Sequence, residues 1–308
     1  MGKTLFVTDL DGTLLSSDSR VSANSVAMLN AAIAKGALFS VATARTPSTV
    51  SALMREVNAN LPFIVMTGAA LWSKETGKFA ETITLDTGAA AEILGIIRKH
   101  SLPAFAYCLK GNKIHIYHTG PLSDTERKFI AERSESEYKV FHIPTDGNSV
   151  MPQPLSDVTL FYAMQPSALV EATYRDIKEQ VECNPIFYHD MFGPATGIME
   201  VFSPLASKAN AVLRLKEMSG ADRVVAFGDN VNDLPMLRVA DVAVAVENAV
   251  DEVKAVADII ISANTDDSVA RFILECVNNP GSPNCPNAPR STENFNLWES
   301  TSDSEPAN

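Results

Sequence analysis

Two short acidic stretches stand out for the chemistry their residue types could do. Near the N-terminus, Asp9-Leu10-Asp11-Gly12-Thr13 follows the apolar run Leu5-Phe6-Val7. If that run is a strand, the side chains of Asp9 and Asp11 share a face at its carboxyl end. In an open α/β sheet, that end is where ligands sit. Gly12 lets the chain turn away and brings backbone N–H groups close to an anion. Two adjacent carboxylates repel each other, and Mg²⁺, which prefers hard oxygen ligands, is the natural ion to hold them. The stretch is not an EF-hand loop, because Leu14 and Arg20 stand where Gly and Glu are required. Much later, Gly228-Asp229-Asn230-Val231-Asn232-Asp233 follows a second apolar run, Val224 to Phe227. Asp229 would end that strand, and Asp233 would share its face once a helix begins. The new helix's free N–H groups favour an anion. Taken singly, each stretch also fits an ordinary polar turn or a helix N-cap.

Two further residues are of interest. Thr43, followed by Ala44 and Arg45, ends a strand-like run, and its hydroxyl can donate to a phosphate oxygen or serve as a helix cap before Pro47. Lys208 falls in the first turn of a helix, where the dipole disfavours a cation unless it faces an anion or a carboxylate cluster. Other site types lack support. The histidines show no helical HxxxH or HxE spacing, which argues against zinc. There is no GxGxxG after a strand, no GxxxxGK[ST] and no GxSxG. Trp72, Tyr107 and Tyr117 read as packing residues.

The elements that must position these residues follow an α/β grammar. Leu5–Val7, Leu38–Ala42 and Phe63–Met66 read as strands; Ser22 caps the first intervening helix and Pro47 opens the second. The pattern β-α-β-α-β demands a doubly wound parallel sheet, a Rossmann-like core. It returns with a helix from Ser207 to Met218, the strand Val224–Phe227, a helix from Asn232, a strand Val242–Val246 and a last helix Asp267–Val277. Between these halves the texture changes. Mixed strands (Ala104–Leu109, Lys113–Tyr117, Val158–Ala163, Ile186–His189) alternate with helices at Ala89–His100, Asp124–Arg133 and Ala168–Gln180, and Lys110-Gly111-Asn112 reads as a hairpin turn. The expected organisation is an α/β core over 1–83 and 203–278, an inserted α+β cap domain over 84–202, and a disordered, proline-rich tail over 279–308.

Composition narrows the function class. The chain has 308 residues with 25 Lys and Arg against 37 Asp and Glu, a formal charge of −12 that argues against polyanionic partners, whether nucleic acid or membrane surface. An apolar fraction of 46% supports a substantial core. No stretch reads as a membrane span or a secretory signal, and Phe6 stands where a myristoylation signal needs Ser or Thr. Cys108, Cys183, Cys276 and Cys285 form no CxxC pair and read as reduced thiols of a cytoplasmic protein.

Together, Asp9–Thr13, Thr43, Lys208 and Gly228–Asp233 resemble, in order and spacing, the four motifs of the haloacid dehalogenase-like phosphatases, in their Cof-type branch with an α/β cap domain. The match runs from Lys3 to about Val277; Glu200-Val201, Asn248-Ala249 and Asp267–Ala270 also resemble family patterns. The resemblance implies that Asp9 is the nucleophile and Asp11 the acid and then base. It also implies that Asp9, the Asp11 backbone carbonyl and Asp229 hold Mg²⁺, with Asp233 behind them. Thr43, Lys208, Asn232 and backbone amides near Leu10 and Ala44 would hold the phosphoryl oxygens. Ala44 and Ala209 stand where the family often has Gly, Thr67 where it has Asn, and Glu247, a potential negative charge near the site, where it has Gly. The implied activity is Mg²⁺-dependent hydrolysis of small phosphomonoesters, sugar phosphates first, through an aspartyl-phosphate; the partner is a small phosphorylated metabolite. A phosphosugar mutase and a non-enzymatic phosphoryl-accepting switch remain as alternatives, although a switch has little use for Asp11 or a large cap. Oligomeric state is not legible.

Overall fold

In a computed structural model that describes residues 2–134, 136–143, 150–152, 155–190 and 193–279, the chain begins with seven strands and helices. These are β1 (Thr4–Thr8), α1 (Ala23–Ala34), β2 (Leu38–Val41), α2 (Pro47–Leu53), β3 (Phe63–Val65), β4 (Ala70–Ser73) and β5 (Lys78–Thr82). An inserted region follows: α3 (Thr87–Lys99), β6 (Phe105–Lys110), β7 (Lys113–His118), α4 (Asp124–Ala131), β8 (Lys139–His142), β9 (Val158–Pro166), α5 (Ser167–Gln180), β10 (Asn184–Asp190) and β11 (Gly193–Phe202). The chain then returns through α6 (Lys208–Ser219), β12 (Arg223–Gly228), α7 (Leu234–Val239), β13 (Val242–Val246), α8 (Asp251–Val256), β14 (Ile259–Ile261) and α9 (Ser268–Asn278). The expected tail beyond Asn279 lies outside the described residues.

Leu5, Phe6 and Val7 are consecutive, apolar and buried because β1 is covered on both faces. It is paired in parallel with β2 on one side and β12 on the other, within a five-stranded parallel sheet of order β14-β13-β12-β1-β2. The chain leaves β1 toward β2 and leaves β12 toward β13, in opposite directions, which opens a crevice at the carboxyl ends of β1 and β12. The register Thr8↔Phe227 sets the residues that follow, Asp9 and Gly228-Asp229, at the same level. The doubly wound α/β core read from the sequence is thus the observed one, with an antiparallel sheet beside it.

Three local expectations are corrected. Phe63–Met66 does not extend the main sheet as a full third strand. A single parallel bridge, Ala42↔Ile64, joins β3 to it, and β3 then heads an antiparallel β3-β4-β5 sheet. Met66 leaves the strand because it and Thr67 adopt left-handed backbone, φ 52° and 58°. Finally, the helix expected from Asn232 is a tight turn over Val231–Asp233, and α-helix begins only at Leu234, with Pro235 in its first turn.

The inserted region forms a six-stranded sheet of order β10-β11-β9-β6-β7-β8. Period-two alternation gives it two faces. Ala106, Phe161, Met199 and Val201 pack under α3 and α5, whereas Phe105, Tyr107, Ile116 and Leu160 join the apolar cluster of the core. The Gly111-Asn112 hairpin turns as expected, with Gly111 at φ 63°. Beneath α4, Glu126 is buried against His118, whose Nε2 lies 3.1 Å from Oε1, while Ser123 N and Oγ donate to Oε2. Among the described residues, no helix is long and apolar enough to cross a membrane.

Candidate active site

The crevice collects residues from four separate segments. Asp9 leaves β1 with its N–H donating to the Phe227 carbonyl at 3.0 Å, and its side chain is buried. Lys208, at the first position of α6, is 2% exposed. Its Nζ donates to Asp9 Oδ1 and Asp233 Oδ1, each at 2.6 Å. The cation thus sits at an unfavourable helix end because two carboxylates surround it. Ser207 caps the helix by accepting from Asn210 N. Oxygens of Asp9, Asp229 and Asp233 lie within 4.8 Å of one another.

Each carboxylate has a distinct set of partners. Asp229 Oδ1 accepts from the Thr13 hydroxyl at 2.7 Å. Asp233 Oδ2 accepts the backbone N–H groups of Asp229 and Asn230 at 3.1 and 3.2 Å, so both oxygens of Asp233 are committed. Among the described residues, Asp9 Oδ2 and Asp229 Oδ2 carry no such bond. Gly12, at φ 77°, lies against Asp229 Oδ2, where a Cβ would overlap it. The glycine is what lets this loop close over the carboxylate.

Three carboxylates against one ammonium leave a formal excess of two negative charges in the cluster. Burial accordingly pushes Asp9 up to about 7, with Lys208 working the other way and Asp233 adding to the rise. Burial also raises Asp229, against the Thr13 hydrogen bond. A hard divalent cation such as Mg²⁺ fits this donor set: Asp9 and Asp229 offer free oxygens, and its two positive charges match the excess. Asp233, already committed, would act behind them.

Asp11 departs from the expectation that it shares a face with Asp9. The strand ends at Thr8, and Leu10–Leu14 form a turn in which Asp11 and Gly12 have non-helical backbone, so strand periodicity no longer applies. Its side chain is 53% exposed and is gripped by Arg45, Nε to Oδ2 at 2.7 Å and Nη2 to Oδ1 at 2.5 Å. Asp11 holds Arg45 firmly protonated through these bonds. In the sequence Arg45 is only the neighbour of Ala44, and its bidentate grip has no signal in spacing.

Of the remaining candidates, Thr43 is buried, and its Oγ accepts from Arg45 N at 3.1 Å, leaving its proton free to donate. Leu10 is buried in the core, whereas Ala44 and Asn232 are exposed. Ala209 is half-buried and Glu247 exposed. Thr67 hangs its N–H on the Thr43 carbonyl at 3.0 Å. The next residue, Gly68 at φ 91°, runs so close to the Ser207 carbonyl that no side chain fits. That contact seats the start of α6, and with it Lys208, against the β3–β4 loop. Sequence reading also missed the role of Asn248, noted there only as a pattern. Its Nδ2 donates to the Gly12 carbonyl at 2.7 Å, its Oδ1 accepts from Asn264 N, and Asn264 Nδ2 donates to the Leu15 carbonyl. Two asparagines thus pin the loop that carries Asp11 at Gly12 and at Leu15.

Comparison with known proteins places this geometry. The family model of the haloacid dehalogenase-like hydrolases matches residues 6–273. The chain is 26% identical over 271 residues to the pyridoxal phosphate phosphatase YbhA of Escherichia coli, covering 86% of this chain and 95% of that protein. It is 23% identical over 277 residues to the 5-amino-6-(5-phospho-D-ribitylamino)uracil phosphatase YitU of Bacillus subtilis, covering 88% and 96%. A crystal structure from Thermotoga maritima superposes with a TM-score of 0.69 at 22% identity, covering 89% of this chain and 97% of that one. A haloacid dehalogenase-like hydrolase from Bacteroides thetaiotaomicron gives 0.67 at 22%, covering 88% and 98%. At those identities the structures speak for the fold alone. The family match over residues 6–273, carried by a chain whose crevice gathers these acids around a buried lysine, makes this protein a haloacid dehalogenase-like hydrolase of the Cof type.

Proposed function

We propose that the protein is a Mg²⁺-dependent phosphatase of small phosphomonoesters, with sugar phosphates as the first class to test. The observation that carries this reading is the buried Lys208 between Asp9 and Asp233, with Asp229 beside them. Phosphoryl transfer needs mainly positioning and neutralisation of charge on the equatorial oxygens, and this cluster is built for that. Bound between Asp9 and Asp229, Mg²⁺ would supply positive charge to the phosphoryl oxygens.

The protein's own groups divide the remaining work. The Asp9 carboxylate attacks phosphorus, an O–P bond forms, and the bond to the leaving alcohol breaks. Asp11 donates a proton to the departing oxygen, then takes one from the water that hydrolyses the aspartyl-phosphate, regenerating Asp9. Arg45 fixes the position of the Asp11 carboxyl through its two-pronged grip, and one prong must open when Asp11 carries the proton it donates. Lys208, the Thr43 hydroxyl and Asn232 are the groups we assign to the phosphoryl oxygens.

YbhA and YitU are named for phosphate esters of different metabolites, which supports a small phosphorylated substrate and leaves its identity to assay. The residues 84–202 are read as a cap that excludes water and selects the leaving group. The free thiols of Cys108 and Cys183 support a cytoplasmic setting. The deciding experiment is phosphate release from a panel of phosphorylated metabolites, with and without Mg²⁺, by the wild type and Asp9→Asn. Loss of at least about a thousandfold in the variant is expected. Release by Asp9→Asn at the wild-type rate would refute the assignment.

A further inference from the structure

Between α2 of the core and the α4–β8 segment of the inserted region runs a cleft of about 500 Å³ that contains none of the cluster carboxylates. Its core wall is lined by Ser48, whose Oγ lies 2.9 Å from Thr46 Oγ1, by Thr49 and Ser51, and by Arg55 past the end of α2. Its other wall carries the charged groups Glu132, Arg133, Glu137 and Lys139, together with Tyr138.

These charges are unequally satisfied. Arg133 Nη1 donates to Glu132 Oε2 at 3.0 Å and to the Phe129 carbonyl at 3.2 Å, so Glu132 is spent on its neighbour. Glu137 and Ser51 both engage the Tyr138 hydroxyl. Arg55 is exposed. Lys139, the first residue of β8, is half-buried and has no acid partner among the described residues. Burial, and then the nearby Arg133 charge, push its amine down to about 8. A half-buried ammonium facing a second cation is unfavourable until an anion meets both.

We propose that this cleft is a second anion-binding site, taking a phosphate or carboxylate group of a small molecule between Lys139 and Arg133 on one wall and Arg55, Ser48 and Thr49 on the other. Its placement suits a role beside the reaction. Ser48 is three residues from Arg45, which puts their Cα atoms within about 11 Å, and Arg45 holds Asp11. The two walls belong to the core and to the inserted region, so an anion seated there ties the two together and biases the protein toward the state in which they meet. The anionic group is either the far end of a doubly anionic substrate or a separate small anion; the chemistry of the site is the same.

The test reads Lys139 directly and needs no turnover, so it stands or falls separately from the phosphatase reading. The full-length protein is trace-labelled with acetic anhydride across a pH series, with and without sulfate, and each lysine is followed by peptide mass spectrometry, exposed Lys113 serving as reference. An anion at salt-bridge distance raises an amine by one unit or more. At pH 8 that takes Lys139 from about half to about a tenth free amine, so its labelling relative to Lys113 falls about fivefold on adding sulfate. Arg133→Gln should blunt that protection. Labelling of Lys139 that tracks Lys113 at every sulfate concentration overturns the proposal. Where protection is seen, steady-state kinetics of Lys139→Met name the source. A KM rise confined to substrates with a second phosphate or carboxylate assigns the site to the substrate's far end. An unchanged KM for both substrate classes assigns it to a separate anion.

Discussion

Replacing Lys208 with Met keeps the apolar stem and removes the charge that holds the cluster together. In metal-free protein this leaves Asp9, Asp229 and Asp233 with oxygens within 4.8 Å and no cation between them. At an effective dielectric near 20, each such pair repels by about 3.5 kcal/mol. Proton uptake caps the loss. Asp9 is already raised to about 7 by burial, with Lys208 the main opposing influence, so without the lysine it climbs further and takes up a proton. The expected cost is therefore that of breaking a buried ion pair, about 3 kcal/mol. The sign with pH follows. A carboxyl whose folded pKa lies above its unfolded value of about 3.9 is unperturbing when protonated in both states, and its stability contribution is lost as pH rises through the folded value. The deficit of Lys208→Met should be smallest near pH 5, where Asp9 is protonated in both folded proteins, and should grow as pH rises past about 7, where only the wild-type carboxyl ionises, up to the higher value Asp9 takes without the lysine. Urea denaturation at pH 5 and pH 8 in EDTA measures this, and repeating it with Mg²⁺ should recover part of the loss because the ion replaces the missing positive charge. A variant as stable as the wild type at both pH values in EDTA refutes the reasoning.

Other substitutions probe the supports of the site. Gly68→Ala forces a Cβ onto the Ser207 carbonyl at a φ of 91° and should lower stability by at least about 2 kcal/mol, seen as a drop in Tm. Arg45→Gln frees the Asp11 carboxyl from its fork and should lower kcat by about ten- to a hundredfold with an unchanged circular dichroism spectrum. Glu126→Gln should cost about 2 kcal/mol at pH 7. Burial opposes the ionised Glu126, but hydrogen bonds from His118 and Ser123 outweigh it and hold its pKa below the usual range. Its contribution is present above the unfolded value of about 4.3 and lost as pH falls through the folded one, so the gap between variant and wild type should close below about pH 4 in thermal melts.

The α/β core was legible because its signals are local. A run such as Leu5-Phe6-Val7 has nowhere to go but a doubly covered strand, and Val242–Val246 reads the same way. Segments with weaker patterns went unread. The Ala70–Ser73 and Lys78–Thr82 hairpin, the short α8 and β14, and the long β11 have boundaries set by what they pair with. Strand periodicity also misplaced Asp11, since the chain leaves the strand at Thr8 and the face rule ends with it.

By itself, the sequence determined which residue types stand at strand ends and helix starts: acids after β1 and β12, a threonine after β2, a lysine opening α6. Those placements follow from hydrophobic runs, caps and turns, which depend on neighbours a few positions away. Only the tertiary structure decided that Lys208, 199 positions from Asp9, reaches it at 2.6 Å, that Arg45 rather than solvent holds Asp11, and that Asn248 and Asn264 fasten the loop between them. Such contacts depend on sheet register and helix packing, where a shift of one residue would point every one of these side chains elsewhere.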